Sequence, residues 1–220
     1  LTRNDRSKQG ASGGPITKDQ TGVETYGVVF AVAESPVTAG VIWAGTDDGY
    51  IHLTRDAGKT WKNVTPKDIG DFTRISLIEA SHYAAGTAYV AANRYQQDDF
   101  APLFYKTTDF GATWTKISAD LTDNNPRQMG VNPSAIPYQS ITQLAESPLV
   151  QGVLYAGTDD GNLHVTRDGG ATWTNIGGHL PMGVTSVLTA LPHVRSGALR
   201  VDLTENLAEY GYSDAHELIS

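Results

Sequence analysis

The sequence predicts an all-β fold made of repeated four-stranded antiparallel units. Hydrophobic residues make up 40% of the chain and charged residues 18%, which is enough apolar material for a packed core. The 23 glycines and 10 prolines favour short strands joined by tight turns. Residues 33–64 read AESPVTAGVIWAGTDDGYIHLTRDAGKTWKNV and recur, with most positions identical or similar, at residues 145–176. Such self-similarity is typical of repeat architectures.

Each predicted unit is a series of four strands in which apolar residues alternate between Gly-rich turns. The predicted strands are 26–33, 41–46, 50–55 and 60–64, then 74–80, 87–92, 102–107 and 113–117, then 138–145, 152–157, 162–167 and 172–176. A fourth unit begins near 184–190 and 197–203 and then fades. The chain is therefore divided into a polar segment 1–25, units at 26–66 and 67–118, a long loop 119–137, a third unit at 138–178, a partial unit at 179–203 and a divergent end at 204–220.

An eight-residue string with the pattern T-x-D-x-G-x-T-W, called the octapeptide below, begins at Thr54, Thr107 and Thr166. Its Asp side chain is suited to accept backbone N–H bonds across a tight turn, its Gly supplies a left-handed backbone, and its Trp covers the apolar face of the hairpin. These roles are structural, because side-chain turns of this kind are ordinary local chemistry. The residues concerned are Asp56, Gly58, Trp61, Asp109, Gly111, Trp114, Asp168, Gly170 and Trp173.

The octapeptide resembles the Asp-box of sialidase-type and sortilin-type propellers and of bacterial BNR-repeat, glycosyl-hydrolase-like proteins. The resemblance implies a β-propeller, with three complete blades and part of a fourth, and a secreted or periplasmic bacterial parent. A propeller buries the faces of each blade against its neighbours in a ring of four to eight blades. An open arc would leave two apolar faces bare, so we expect a second copy to close the ring as a homodimer. The alternative is that the chain is a fragment of a longer propeller whose other blades cover those faces.

Composition also limits the partners. The formal net charge of −8 leaves no basic surface for phosphate, which argues against nucleic acid and anionic membrane. No apolar run approaches the roughly 18 residues of a membrane span. The chain has no cysteine, and therefore neither a disulfide framework nor a thiolate metal site.

Blade geometry places the turn between strands two and three, and the connections between blades, on the side away from the octapeptides. We expect binding residues there, because loops on a rigid scaffold carry most binding functions. This loop-rich side collects the Asp-Asp-Gly turns that contain Asp47, Asp48, Asp159 and Asp160, and a longer loop with the candidate binding residues Arg94, Tyr95, Asp98 and Asp99. Segments 1–25 and 118–137 also lie there and are related, since LTRND begins at Leu1 and LTDNN at Leu121.

Two histidines, His52 and His164, follow the Asp-Asp-Gly turns at matching positions. Together with the carboxylates they could hold zinc or manganese and activate a water molecule for ester hydrolysis. His82 and His193 form a second matching pair, but their loops belong to the octapeptide side. The simpler interpretation is that the Asp-Asp-Gly turns carry solvated carboxylates and that His52 and His164 pack along strands.

Three functions follow, in order of preference. The first is a non-catalytic recognition or scaffold propeller that binds a peptide, a glycan or a partner protein. The second is a metal-assisted hydrolase of phosphoesters or glycosides. The third is a glycosidase that uses Asp47, Asp48, Asp159 and Asp160; sialidase chemistry would also need an Arg cluster, which the sequence does not show. A G-x-S-x-G elbow, a phosphate loop and a Cys nucleophile are all absent from the sequence.

Overall fold

The computed structural model describes residues 1–7, 26–97, 99–125 and 140–177. These residues form three four-stranded antiparallel sheets, which confirms the all-β prediction. Within the described ranges no helix is long and apolar enough to cross a membrane. The predicted partial unit 179–203 and the end 204–220 lie outside the described residues.

In every sheet the strands lie side by side in chain order, so each sheet is a simple meander and has the topology of a propeller blade. Blade 1 contains β1 (Val29–Glu34), β2 (Ile42–Thr46), β3 (Ile51–Thr54) and β4 (Lys62–Asn63). Blade 2 contains β5 (Arg74–Ala80), β6 (Ala88–Arg94), β7 (Asp99–Thr107) and β8 (Thr115–Lys116). Blade 3 contains β9 (Ile141–Glu146), β10 (Leu154–Thr158), β11 (Leu163–Thr166) and β12 (Thr174–Asn175).

The fourth strand of each blade has two residues, whereas the sequence predicted five. The octapeptide explains the difference in blade 1, because Asp56 accepts hydrogen bonds from the amide and hydroxyl of Thr60 and so holds that residue in the turn. Strands β6 and β7 are longer than predicted. Arg94 pairs with Asp99 across them, so most of the predicted loop is strand and the remainder contains a 3-10 turn at Tyr95–Gln97.

The chain divides into two compact units, Leu1–Lys116 and Ile117–Ser220. In the first unit blades 1 and 2 share one core, which includes Trp43, Ile51, Ile75 and Tyr105. Gly45 permits this close approach, because a Cβ there would lie 2.3 Å from Cγ2 of Ile75. In the second unit Val153, Tyr155 and Val165 form a smaller core against which Ile176 packs.

Backbone hydrogen bonds confirm the predicted sorting of loops. In all three blades the octapeptide binds the turn between the first two strands, through Ala57 N to Gly40 O at 3.0 Å, Phe110 N to Gly86 O at 2.9 Å and Gly169 N to Gly152 O at 2.9 Å. On the opposite side Phe72, in the connection between blades 1 and 2, donates to the Asp48 carbonyl at 3.1 Å. We call these the octapeptide side and the loop-rich side.

Candidate functional site

On the octapeptide side the three motifs have the same geometry. Asp56 accepts from the Thr54 hydroxyl at 2.7 Å and from the Thr60 hydroxyl and amide at 2.6 and 2.9 Å. The Thr54 oxygen in turn accepts the Gly58 amide at 2.9 Å. Asp109 and Asp168 repeat these contacts in their own motifs. The octapeptide carboxylates thus accept hydrogen bonds from residues of their own motif and hold its turn in place.

Hydrogen bonds to the charged form lower the pKa of each of these carboxyls. The Thr60 hydroxyl and amide, with the Thr54 hydroxyl, lower the pKa of Asp56 to about 2. The pKa values of Asp109 and Asp168 are lowered by the equivalent threonines, Thr113 and Thr172 first. All three groups are therefore ionised at neutral pH and ready to accept those bonds.

The tryptophans of the octapeptides do more than cover their hairpins. Trp114 Nε1 donates to the carbonyl of Val64, the residue after β4, at 2.7 Å. Trp173 Nε1 donates to the carbonyl of Ile117, the residue after β8, at 2.8 Å. Trp61 Nε1 instead donates to Gly58 of its own motif at 3.1 Å.

On the loop-rich side the Asp-Asp-Gly turn of blade 1 is buried, contrary to the expectation of solvated carboxylates. Asp47 and Asp48 are only 2% and 1% exposed. Asp47 Oδ1 accepts the Val28 amide at 2.9 Å, and Asp48 accepts the Thr46 hydroxyl and the Arg3 amide, both at 2.6 Å. Burial raises the pKa of Asp47 against the opposing effect of the Val28 amide. These carboxylates hold backbone segments in place.

The copy of this turn in blade 3 has the same design. Asp159 accepts the amide of Ser140 at 2.6 Å, and Asp160 accepts the amide of Asp123 at 2.6 Å and the Thr158 hydroxyl. Arg3 and Asp123 occupy the same place in the related strings LTRND and LTDNN. The second Asp of each turn therefore anchors one of these two segments.

His52 and His164 lie at equivalent positions on β3 and β11, each between an Ala and an Asn of the neighbouring strands. Burial lowers the pKa of both imidazoles. Both histidines lie within strands, as the simpler interpretation, that they pack along strands, predicted.

The second predicted pair is His82 and His193. His82 lies in the turn after β5, 3.8 Å from Glu79, and His193 lies outside the described residues. Nowhere in the described ranges do three or more His, Asp or Glu side chains form a group that could hold a metal ion.

An Arg–aromatic cluster occupies the loop-rich side between the first strands of blades 1 and 2. The Arg74 guanidinium carbon lies 4.9 Å from the ring centre of Phe30 and 5.4 Å from that of Tyr95. Arg74 also donates to the Tyr95 hydroxyl, and Arg94 pairs with Asp99 at 3.2 Å. Of the four binding residues predicted here, Tyr95 contacts Arg74, Arg94 and Asp99 pair with each other, and Asp98 lies outside the described residues.

A second group of the same kind lies at the Asp-Asp-Gly turn of blade 1. The Arg3 guanidinium carbon is 4.2 Å from the ring centre of Tyr50 and 5.6 Å from that of Phe72. Its Nη2 pairs with Asp71 at 2.6 Å. Phe72 also meets Tyr26 edge to face at 5.0 Å.

Phe30, Arg74 and Arg3 were not among the binding residues predicted from the sequence. Phe30 and Arg74 belong to the first strands of their blades, for which only β structure was predicted. The available signal was their position, because the first strand of each blade begins on the side where the connections between blades lie. Arg3 could have been found from LTRND, where a cation precedes an Asn and matches Asp123 in the second string.

Three four-stranded meanders, two of them sharing a core, are blades of a β-propeller. No family model matches the chain. No curated protein matches it either.

Several solved structures are similar to the chain. One is YCF48 from Cyanidioschyzon merolae, with 20% identity and a TM-score of 0.45 over 67% of this chain and 36% of that chain. A YCF48 bound to D1 peptide has 18% identity and a TM-score of 0.47 over 67% and 39%. A GH74 xyloglucanase from Xanthomonas campestris has 18% identity and a TM-score of 0.47 over 70% and 22%. The chain thus spans well under half the length of each of these proteins.

Proposed function

We propose that the chain is a non-catalytic recognition module of the Asp-box (BNR-repeat) β-propeller family and that its loop-rich side binds a peptide segment of a partner. The observation that supports this most is the cation–π contact of the Arg74 guanidinium with the rings of both Phe30 and Tyr95. Arginine, tyrosine and tryptophan are the residues that dominate protein-binding hot spots.

The cluster offers both apolar area and directed hydrogen bonds. Phe30 is 49% exposed, a large value for an aromatic side chain on a strand. Contacts with two rings and a hydrogen bond to the Tyr95 hydroxyl restrict the Arg74 guanidinium, so fewer degrees of freedom are lost when it binds. A peptide could supply an apolar side chain for Phe30 and a carbonyl or carboxylate oxygen for Arg74.

Neighbouring acidic groups nearly neutralise the arginines around the Arg–aromatic cluster. The cluster therefore favours a peptide with both apolar and polar residues over a highly acidic one. Arg94 is paired with Asp99, Arg3 with Asp71, and Arg74 lies near enough to Asp47 to oppose the rise in that carboxyl's pKa. Specificity would then come from the geometry of the aromatic rings and the guanidinium fork.

The two enzymatic alternatives have less support. A metal-assisted hydrolase needs His52 or His164 to meet further ligands, and the described residues provide no such group. A glycosidase needs carboxylates that reach the sugar, whereas Asp47 and Asp48 are buried and engaged with Val28, Thr46 and Arg3. A glycan remains the alternative ligand of the Arg–aromatic cluster, because aromatic rings also stack on sugars.

We further propose that the ring is completed by a second copy of the chain, as a homodimer. Val32 on β1 is 64% exposed, whereas Leu144, at the same register position of β9, is half-buried. One face of blade 1 therefore lacks the cover that its counterpart has.

The test is selection from a phage-displayed library of random peptides on the immobilised 220-residue chain. Clones are then measured by calorimetry against the wild type, Phe30→Ala and Arg74→Lys. Both variants should weaken binding at least tenfold, since Phe30→Ala removes the apolar contact and Arg74→Lys keeps the charge but removes the planar fork.

Val37→Ala is the matched control, because Val37 is 46% exposed but lies in the turn on the octapeptide side. It should bind as the wild type does. Failure to recover any peptide, or recovery of peptides that bind Phe30→Ala and Arg74→Lys unchanged, would contradict the proposal. A parallel glycan array distinguishes a sugar ligand of the same cluster.

A further inference from the structure

The octapeptides and the ends of the blades fit together as holes and knobs. A hole consists of the left-handed glycine and the tryptophan of one octapeptide. A knob is the β-branched residue that follows the last strand of a blade, which is Val64 after β4, Ile117 after β8 and Ile176 after β12. The described residues thus contain three holes and three knobs.

Two of the holes are filled in the same manner. A Cβ added to Gly111 would lie 2.6 Å from Cβ of Val64, and one added to Gly170 would lie 2.8 Å from Cβ of Ile117. Each knob is therefore seated where a side chain on the glycine would be. The tryptophan of the same octapeptide donates to the knob's carbonyl at 2.7 and 2.8 Å respectively.

The hole of blade 1 is empty of any knob among the described residues. The nearest atom to a Cβ added at Gly58 is 3.8 Å away and belongs to Trp61 of the same motif. Trp61, lacking a knob carbonyl, donates to Gly58 instead. This hole has the same sequence elements and the same left-handed glycine, with φ of 86°, as the filled ones, where φ is 75° and 100°.

The knob of blade 3, Ile176, meets no octapeptide glycine among the described residues. Ile176 has the position of Val64 and Ile117, and its amide donates to Leu163 at 2.7 Å just as the Val64 amide donates to Ile51 at 2.8 Å. The 220 residues contain no fourth octapeptide that could receive it. One hole and one knob of matching chemistry thus remain unmatched in the part of the chain that the structure describes.

We propose that the Gly58–Trp61 hole of one copy receives Ile176 of a second copy, with Trp61 Nε1 donating to the Ile176 carbonyl. This inference rests on the proposed closure of the ring by a second copy and specifies which residues meet. The contact is head to tail, because a hole meets a knob and not another hole. Two copies related by a twofold axis form this contact twice and close the ring of blades, whereas copies without that symmetry would form open-ended oligomers.

Disulfide trapping tests the contact directly, since the chain has no cysteine of its own. Gly58→Cys and Ile176→Cys are prepared separately, checked for folding by circular dichroism, mixed and oxidised. We expect a covalent dimer from the mixture and little from either variant alone. The Cβ separations of 2.6 and 2.8 Å in the filled holes are about 1 Å shorter than a disulfide prefers, a gap that a small shift closes. Val37→Cys mixed with Ile176→Cys is the control and should give no covalent dimer after oxidation.

A second measurement covers the case in which a cysteine variant folds poorly. Trp61→Phe keeps a six-membered aromatic ring but removes the N–H together with the five-membered part of the indole, so it should raise the dimer dissociation constant at least about three- to tenfold by analytical ultracentrifugation. The control, Trp114→Phe, removes a hydrogen bond inside one chain. It should lower the melting temperature and leave the dissociation constant of the remaining folded protein unchanged.

The outcomes separate this inference from the broader proposals. Ultracentrifugation could show a dimer whose dissociation constant is unchanged in Trp61→Phe and which the cysteine pair does not trap. This result would overturn the hole-and-knob contact but would still agree with a homodimer. A wild-type chain that is monomeric at all concentrations would overturn both. Neither result would affect peptide binding at the Arg–aromatic cluster, which is measured independently.

Discussion

The two sides of the propeller blades differ in how faithfully they repeat. On the octapeptide side all three motifs share the same Thr–Asp–Thr hydrogen bonds and the same left-handed glycine. On the loop-rich side blade 1 has a buried turn bound to Arg3, and blade 3 has a half-buried turn bound to Asp123. Blade 2 has the extended β6 and β7 joined by Arg94 and Asp99 instead.

Under the proposed function, this difference separates the side that forms the scaffold from the side that binds a partner. A hydrogen-bonded turn that recurs unchanged meets a requirement common to every blade, which is the closing of its outer hairpin. Positions that vary between otherwise similar blades are free to acquire side chains for a particular ligand. The variable side is where Phe30, Arg74 and Tyr95 come together.

The largest expected effect compares one glycine from each side. Gly111→Ala and Gly161→Ala both place a side chain on a left-handed backbone, with φ of 75° and 98°. Only at Gly111 would the new Cβ collide with a neighbour, Val64, since nothing lies within 4 Å of Gly161. Gly161→Ala should cost about 1–2 kcal/mol of unfolding free energy, and Gly111→Ala about 1–3 kcal/mol more. Urea denaturation of both variants measures this, and equal losses would contradict the proposed role of Val64.

A smaller effect is expected within the loop-rich side, from Asp48→Ala against Asp160→Ala. Removing Asp48 takes the acceptor from the Arg3 amide and leaves the Thr46 hydroxyl only its longer bond to the Tyr50 carbonyl, in a buried site, which should cost about 1–3 kcal/mol. Asp160 is half-buried, so water can replace it and the loss should be less. Chemical denaturation compares the two variants. A greater loss for Asp160→Ala would show that the blade 1 turn is less important than its burial indicates.

The octapeptide carboxylates should make stability depend on acid pH. Their folded pKa values are lowered below the usual value of about 3.9, so their stabilisation is fully present above that value and is lost as pH falls toward the folded pKa, about 2 for Asp56. The melting temperature should therefore fall between pH 4 and pH 2. Asp109→Asn should melt lower than the wild type at pH 5 and show a shallower fall. A wild-type profile that stays flat below pH 4 would contradict this.

The smallest expected effect concerns the histidines and occupies a different pH range. Burial lowers the pKa of His52 and His164, so the unfolded chain takes up protons that the folded chain does not as pH falls below about 6.5. Stability should decrease modestly from pH 7 to pH 5. The double variant His52→Gln and His164→Gln should lose this slope, as followed by thermal melts. If the double variant keeps the same slope, the pH dependence of stability in this range comes from other groups.

Sequence patterns were sufficient to predict structure where the interacting residues lie close together in the chain. The octapeptide's Asp, Thr and Gly interact within eight residues, and the meander follows from the alternation of apolar positions between turns. The contacts that escaped prediction join distant parts of the chain, such as Arg3 with Asp48 and Trp114 with Val64. The burial of Asp47 and Asp48 was missed for the same reason, since a hairpin turn is solvated unless another segment covers it.

The division between the two sides is tested most directly by measuring two properties on two variants. Phe30→Ala and Asp109→Asn are each assayed for melting temperature and for affinity toward a peptide selected on the wild type. We expect Phe30→Ala to lose binding and keep its melting temperature, and Asp109→Asn to melt lower and bind normally while folded. The reverse pattern, or a parallel loss of both properties in both variants, would contradict the separation of scaffold from recognition surface.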